Sequence, residues 1–248
     1  MLKPEDLQPD REILPPDIPW YKKKSCLFLL FITILIIAGV SIFGWYVYTY
    51  YQSIKKGDVP QEIIAMFPEQ YNQEDITAVT RDDDPWQGNE NALVTVIAFE
   101  DFQCPISGEE YPVLKKVLPD YQDKVLFVYR DFPTNHEFSQ KAAEAAQCAY
   151  EQDMYWPYHD LLFLNQSLVT DETAFSKFAA QLNMNTTAFD QCLTSLRYKT
   201  EVQKDFFDGK LAGVSGTPTF FLNGYKLEGA YSEQFWREAL DYLLAKQE

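Results

Sequence analysis

The sequence predicts an α/β domain with a helical insertion, preceded by one transmembrane helix. Two short runs rich in β-branched and aromatic residues, 94–97 and 125–129, flank a helical segment, a pattern typical of a βαβ unit with parallel strands. A continuous block of helical segments follows at about 134–211, before a late apolar run. No charged residue occurs from Ser25 to Ile54, a stretch long enough to cross a bilayer as a helix.

Charge and cysteine usage exclude two classes of function. The 248 residues include 37 acidic and 21 basic side chains, a net charge of −16. Because binding phosphate needs a basic surface, this charge argues against a nucleic-acid-binding protein. The four cysteines form no C-x-x-C pair and there are only two histidines, so the clusters typical of a zinc site are absent from the sequence. We expect neither a metal nor a cofactor.

The N-terminal third is predicted to contain three segments. Residues 1–24, rich in proline and charge, are expected to form a disordered cytoplasmic tail. Residues 25–50 are expected to be an uncleaved signal anchor, because the apolar run is long, no small-x-small cleavage site follows it, and aromatic residues lie at both ends. Residues 51–87 are polar and acidic and are expected to be a juxtamembrane linker, with one or two helical turns at 61–67.

Cys104 lies where the first predicted strand passes into a helix. Pro105 follows it, at a helix position where the missing N–H of proline is tolerated. The unpaired N–H groups and the dipole of a helix N-terminus favour a negative charge, and therefore a nucleophilic thiolate. Most free cysteines are small buried hydrophobes, but the order strand, cysteine, proline, helix favours a reactive thiol here.

From Gly88 to Pro105 the sequence resembles the start of the DsbA-like thiol-disulfide oxidoreductases, a family with a thioredoxin-like fold and a helical insertion. A second match, Gly216-Thr217-Pro218, precedes the late apolar run, and the resemblance covers about Asp84 to Glu248. It implies that residues 88–248 form the domain. It also implies that Pro218 is cis and faces Cys104, and that the backbone of Thr217 pairs with an extended substrate.

The sequence departs from the family pattern at two positions. The family carries C-P-x-C, whereas this chain has Cys104-Pro105-Ile106-Ser107, so Ser107 replaces the resolving cysteine. An acidic residue common six positions before the cysteine is replaced by Ala98, and Glu100 and Asp101, although close in sequence, are expected to point elsewhere. A hydrogen bond from Ser107 to the sulfur of Cys104 is a hypothesis. An internal disulfide cannot form at this site, so another thiol must release any mixed disulfide.

Two further expectations concern the insertion. Thr134 and Glu137 have the spacing of a capping box, which predicts a helix immediately behind them. The resemblance implies that Cys148 and Cys192 form a structural disulfide, with two separate buried thiols as the alternative.

These observations predict a membrane-anchored oxidoreductase or isomerase that uses Cys104 as its single nucleophile, with Pro105 and Ser107 beside it. The expected partners are extracytoplasmic proteins with cysteines, and a redox partner or small thiol. Because disulfides persist outside the cytoplasm, we expect a single-pass cell-membrane protein with a cytoplasmic N-terminus and an extracytoplasmic domain. The alternative is a redox-inactive peptide-binding or chaperone module that retains the groove around Pro218. A related glutathione-dependent branch also lacks the second cysteine, but its members are not anchored.

Overall fold

A computed structural model describes residues 24–56, 61–66 and 84–247. The chain divides into two units, Met1–Asp58 and Val59–Glu248. In the first unit a helix, α1, runs Lys24–Lys56. Over the described residues, no helix meets the combined requirements of length and apolar character for a membrane span. The predicted tail up to residue 23 and the linker residues 57–60 and 67–83 lie outside the described residues.

The second unit combines a mixed sheet with eight of the described helices. The elements are α2 (Gln61–Met66), β1 (Trp86–Gly88), β2 (Val94–Glu100), α3 (Pro105–Val117), β3 (Val125–Asp131), α4 (Ser139–Tyr150), α5 (Tyr155–Leu164), α6 (Thr173–Gln181), α7 (Thr186–Thr194), α8 (Lys199–Leu211), β4 (Thr219–Leu222), β5 (Tyr225–Glu228) and α9 (Glu233–Ala245). Short 3₁₀ turns lie at Leu118–Tyr121 and Gln166–Leu168. Helices α4 to α8 form the predicted insertion between β3 and β4.

The strands form one sheet in the order β1-β3-β2-β4-β5. β2 and β3 are parallel, which confirms the predicted βαβ unit, and the other three pairings are antiparallel. The parallel strands β2 and β3 are almost wholly buried, as expected for strands covered on both faces. Asn223 and Gly224 both have positive φ angles, 46° and 92°, and close the tight hairpin between β4 and β5.

Each face of the sheet carries its own apolar cluster. On one face Val96 and Ala98 pack with residues of α3, α9 and the insertion. Trp236 of α9 is fully buried there and meets the ring of Phe220 edge-on at 4.9 Å, so the last helix packs against the sheet. On the opposite face Phe99 lies in a smaller cluster that α8 covers.

The structure differs from the predicted linker at its C-terminal end. Trp86 is already in β1 and pairs with Val128 of β3. Asp84 is buried and forms an ion pair of 3.1 Å with the guanidinium of Arg130. Ile63 of the predicted helical turn, now α2, is also buried in the core. Folded structure therefore extends before residue 88. Trp86 belongs to the edge strand, and Asp84 supplies the buried partner of the Arg130 charge.

The predicted capping box is wrong. Helix α4 begins at Ser139 with Phe138 at its N-cap position, and no side chain caps it. Thr134 instead donates hydrogen bonds to the carboxylate of Asp101, in the loop that leads to Cys104. The Thr134 hydroxyl therefore binds a charged acceptor from a different part of the chain and caps no helix.

Candidate active site

Cys104 occupies the N-cap position of α3, with Pro105 as the first helical residue. Its backbone N–H donates to Asp101 O, and its carbonyl accepts the first helical hydrogen bond from Gly108 N, both at 3.0 Å. This confirms the strand-to-helix junction predicted from the sequence. Cys104 is 7% exposed and is the free cysteine of the described domain. Little of it is therefore accessible to solvent in the resting protein.

The cis-proline loop lies directly beside the thiol. The Thr217–Pro218 peptide is cis, and the Sγ of Cys104 donates a hydrogen bond to the carbonyl of Thr217 at 3.2 Å. The two loops meet because β2 and β4 are antiparallel neighbours, with Phe99 opposite Thr219. The structure thus brings together the cysteine and the loop that the family resemblance paired with it.

Ser107 lies in the first turn of α3 and is fully buried. Its hydroxyl has no hydrogen-bond partner among the residues that the structure describes. The hypothesis that Ser107 donates to the sulfur of Cys104 is therefore wrong for this resting structure. A buried hydroxyl without a partner costs about 1–3 kcal/mol. Ser107 is consequently neither a resolving group nor a stabilising contact here.

A buried carboxyl lies close to the position of the missing acid. Ala98 faces α3, and Glu100, two residues further along β2, lies on the same face because strand side chains alternate. The expectation that Glu100 points away from the active-site thiol stays a prediction. Burial, and then the charge of Glu110, raise the pKa of Glu100 well above its usual range. Glu110 accepts hydrogen bonds from Tyr231 N at 2.8 Å and from the indole of Trp236, and burial raises its pKa too.

The carboxylate of Asp101 ties the Cys104 loop to the start of the insertion. One oxygen accepts from Gln103 N at 2.8 Å. The other accepts from Thr134 N at 2.9 Å, from the Thr134 hydroxyl and from the Ser139 hydroxyl at 2.8 Å. The sequence did not reveal this role, because the partners of Asp101 lie more than thirty positions away along the chain.

A second contact from the insertion reaches the same loop from the 3₁₀ turn that follows α5. The side-chain amide of Gln166 donates to the carbonyls of Phe102 and Cys104. Three apolar side chains close in sequence to Cys104 or Gln166 are exposed: Ile106 is 47% exposed, Leu164 67% and Leu168 60%. No sequence signal distinguishes Gln166 from the other glutamines of the insertion.

The other titratable and cysteine residues of the insertion are structural. A disulfide joins Cys148 of α4 to Cys192 of α7, both buried, so the pairing implied by the resemblance is present. His159 is packed against the ring of Phe102 at 5.5 Å, and burial lowers its pKa. His159 is therefore a residue of the core.

An acidic cluster elsewhere in the domain has the ligand types of a metal site. Carboxylate oxygens of Asp84, Glu201 and Asp205 lie within 4.8 Å of one another. The guanidinium of Arg130 already binds two of them, Asp84 at 3.1 Å and Asp205 at 2.6 Å. The donor set therefore fits a buried ion-pair cluster better than a cation site.

This arrangement can be compared with known proteins. A family model described as Thioredoxin matches residues 80–242, well over half of the chain. The chain belongs to the thioredoxin family. The match includes both the Cys104 loop and the cis-proline loop, and it extends ahead of residue 88 as the folded structure does.

Solved structures of DsbA-like proteins share the fold of this thioredoxin-family chain. The thiol-disulfide exchange protein α-DsbA2 from Wolbachia pipientis aligns with a TM-score of 0.62 and 20% identity, covering 74% of this chain and 98% of that one. The catalytic domain of Proteus mirabilis ScsC aligns with a TM-score of 0.61 and 22% identity, covering 71% and 99%. At these identities the likeness concerns the fold, and it confirms the predicted thioredoxin-like α/β fold with a helical insertion.

Curated relatives match over part of their length. A protein named Na⁺/H⁺ antiporter NhaA 3, from Salinispora tropica, is 36% identical over 156 residues, which are 62% of this chain and 24% of that protein. One from Herminiimonas arsenicoxydans, named Na⁺/H⁺ antiporter NhaA, is 29% identical over 145 residues, 58% of this chain and 23% of that protein. The chain thus spans about a quarter of the length of these relatives.

Proposed function

We propose that the domain is a DsbA-type thiol-disulfide oxidoreductase or isomerase that works through the single nucleophilic thiol of Cys104. The observation that carries the proposal is the position of this thiol, at the start of α3 and hydrogen-bonded to the carbonyl that precedes a cis-proline. A cysteine that served only as packing would not need a helix N-terminus and a backbone acceptor together.

The reaction would begin when Cys104 loses its proton to solvent and its thiolate attacks a substrate disulfide. A bond forms between the Cys104 sulfur and one substrate sulfur, the substrate S–S bond breaks, and the departing thiolate takes up a proton. Ser107 cannot attack the mixed disulfide, so a second thiol must do so and regenerate Cys104. If that thiol belongs to the substrate the result is isomerisation, and if two small thiols are consumed the result is reduction.

The carbonyl of Thr217 connects this chemistry to substrate binding. In the resting protein it accepts a hydrogen bond from the Cys104 thiol. A sulfur in a mixed disulfide carries no proton and cannot donate, so formation of the adduct releases this carbonyl. It then becomes available to a backbone N–H of an extended substrate. The same carbonyl would therefore hold the thiol before reaction and the substrate after it.

The first test uses the full chain in detergent with Cys26→Ala, which leaves Cys104 as the free thiol while the Cys148–Cys192 disulfide is intact. Incubation with a peptide disulfide, followed by intact mass measurement, should show one peptide adduct. The double variant Cys26→Ala/Cys104→Ala should form no adduct. Addition of a small thiol should remove the peptide from the adduct of the Cys26→Ala protein. A parent protein that gains no more adduct than the Cys104→Ala control would overturn the proposal.

A redox-inactive binding module is the second candidate. It is favoured by the exposed apolar side chains of Ile106, Leu164 and Leu168, which neighbour Cys104 or Gln166 in sequence, and by the low exposure of Cys104 itself. It predicts that suppression of the aggregation of an unfolded test protein survives Cys104→Ala but is lost with Pro218→Ala. If Cys104→Ala by itself abolished the suppression of aggregation, the binding module would be excluded.

We further propose that the domain is held outside the cytoplasm by an anchor formed from α1. Support comes from the uncharged run between Ser25 and Ile54, and from exposed apolar side chains such as Phe31, Ile37 and Phe43. The Cys148–Cys192 disulfide fits an oxidising compartment. The substrates would then be extracytoplasmic proteins with cysteines. Release of the chain from membranes by alkaline carbonate would overturn the anchor.

A further inference from the structure

We propose that Gln166 is a positioning residue for the Cys104 thiol, because its side-chain amide fixes the backbone carbonyls on either side of Gln103. This inference rests on the proposed function of Cys104 and names a residue in the insertion on which its reactivity depends. The hydrogen bonds of the Gln166 side-chain amide go to the backbone of the Cys104 loop, to the carbonyls of Phe102 and Cys104. Gln166 would act on the chemistry only through the loop.

The geometry uses the full donor capacity of the amide. Nε2 of Gln166 lies 3.0 Å from the carbonyl oxygen of Phe102 and 3.0 Å from that of Cys104. A primary amide nitrogen carries two hydrogens, so each carbonyl can receive one. The Cys104 carbonyl also accepts the helical bond from Gly108 N. The orientation of the peptide groups around the cysteine is therefore fixed from two sides.

Gln166 is itself held in place. It opens the 3₁₀ turn that follows α5, and the amide of Asn165 donates to Leu161 O at 2.8 Å. The backbone N–H of Leu168 donates to Asn165 O at 2.9 Å, and Val169 is buried in the core. The amide therefore approaches the loop from a supported turn.

Gly108 provides independent evidence that this approach is built into the sequence. A Cβ at position 108 would lie 2.4 Å from Oε1 of Gln166 and 2.9 Å from its Cδ, closer than real Cβ atoms come. Glycine inside a helix is normally unfavourable compared with alanine. Its presence in the second turn of α3 has a clear reason here, because any side chain would displace the Gln166 amide.

A fixed loop matters more in this protein than in a dithiol protein. Because Ser107 replaces a second cysteine, the Cys104 sulfur must be correctly placed for two successive reactions in each cycle. The first is with the substrate disulfide, and the second is with the thiol that resolves the mixed disulfide. Displacing a reacting group by about 1 Å can cost as much as a hundredfold in rate. Asp101 holds the loop toward Thr134, and Gln166 holds it from the α5 side.

The principal test is Gln166→Met, which keeps the length of the side chain and removes both donors. The readout is the rate at which oxidised glutathione forms an adduct with Cys104, followed by intact mass. We expect a fall of about tenfold, the worth of one to two hydrogen bonds. The matched control is Gln234→Met, which removes the bond from Gln234 Nε2 to Glu238 on the surface of α9 and should leave the rate unchanged.

A double-mutant cycle separates positioning from general destabilisation. Gly108→Ala alone should slow the adduct, because the new methyl group displaces Gln166. In a Gln166→Ala background the same change should cause no further slowing and should raise the melting temperature, since the clash is gone and alanine favours the helix. Simple loss of structure would instead give additive effects.

The outcomes distinguish this inference from the proposed function. Equal rates for wild type and Gln166→Met, or additive effects in the cycle, would overturn the role of Gln166 while leaving Cys104 chemistry intact. Absence of a Cys104 adduct in the wild type would overturn the proposed function itself.

Discussion

Ser107 determines how a mixed disulfide at Cys104 could be resolved. Its hydroxyl cannot attack a disulfide, and it lies buried in the first turn of α3 without a hydrogen-bond partner among the described residues. Serine and cysteine differ little in size, and a thiol is the weaker hydrogen-bonding group. The pocket therefore accepts a thiol at least as readily as the hydroxyl that occupies it.

We expect Ser107→Cys to convert the site into a dithiol. The spacing becomes C-P-I-C at the start of a helix, so oxidation should join the new thiol to Cys104, seen as a loss of two mass units and of two alkylatable thiols. Adducts with a peptide disulfide should then no longer accumulate. Ser107→Ala is the matched control and should keep the adduct. Persistent adducts in Ser107→Cys would show that the two sulfurs cannot meet.

At the level of secondary-structure elements, the active-site loop depends on the insertion. Asp101, just after β2, binds the segment before α4 through Thr134 and Ser139. These contacts connect the fold around Cys104 to helices that lie in a separate part of the sequence. Substitutions in the insertion should therefore change the reactivity of the Cys104 thiol.

Asp101→Asn should destabilise the domain by about 2–3 kcal/mol, because charge-assisted hydrogen bonds become neutral and one acceptor oxygen becomes a donor facing other donors. Urea denaturation would measure the change. Asp171→Asn is a suitable control, since Asp171 also accepts from a backbone N–H and a threonine hydroxyl, both of Thr173, but on the surface. A cost for Asp101→Asn no larger than that of the control would contradict the assignment.

The disulfide between α4 and α7 stabilises the insertion rather than the reaction. Its cysteines are 44 positions apart, and closing a loop of that length contributes up to about 4 kcal/mol in the chain-entropy description. Replacing Cys148 and Cys192 together by alanine should lower stability to denaturant by an amount of that order. The Cys104 adduct should still form under conditions where the variant is folded, and its loss there would contradict a purely structural role.

Patterns of local sequence predicted the elements well, and contacts between distant residues were not predictable. The β-branched runs and the helical block match the strands and the insertion found, because hydrophobic periodicity acts over a few residues. The pairing of Cys104 with Thr217 came from family resemblance. The roles of Gln166 and Asp101 could not be predicted, because their hydrogen-bond partners are carbonyls, N–H groups and hydroxyls that only the folded chain brings close.

Across the whole molecule, acidic residues dominate, and several are buried. The net charge is −16, and the buried carboxyls include Glu100, Glu110 and Asp131. Burial and then the charge of Asp205 raise the pKa of Asp131 above its usual range, and burial raises those of Glu100 and Glu110. The folded chain therefore keeps protons that the unfolded chain loses above the ordinary carboxyl range.

The sign of the pH effect follows from this difference. As the pH rises from about 4 toward the raised folded-state pKa values, the unfolded state releases protons first, so stability falls by up to about 1.4 kcal/mol per pH unit for each such group. Asp131→Asn should flatten this slope, because asparagine keeps an acceptor for Gln147 Nε2 and has no proton to retain. Urea midpoints for both proteins between pH 5 and pH 8 would measure it. Parallel profiles would mean that Asp131 is ionised in the folded domain and that its charge is offset within the cluster around Arg130.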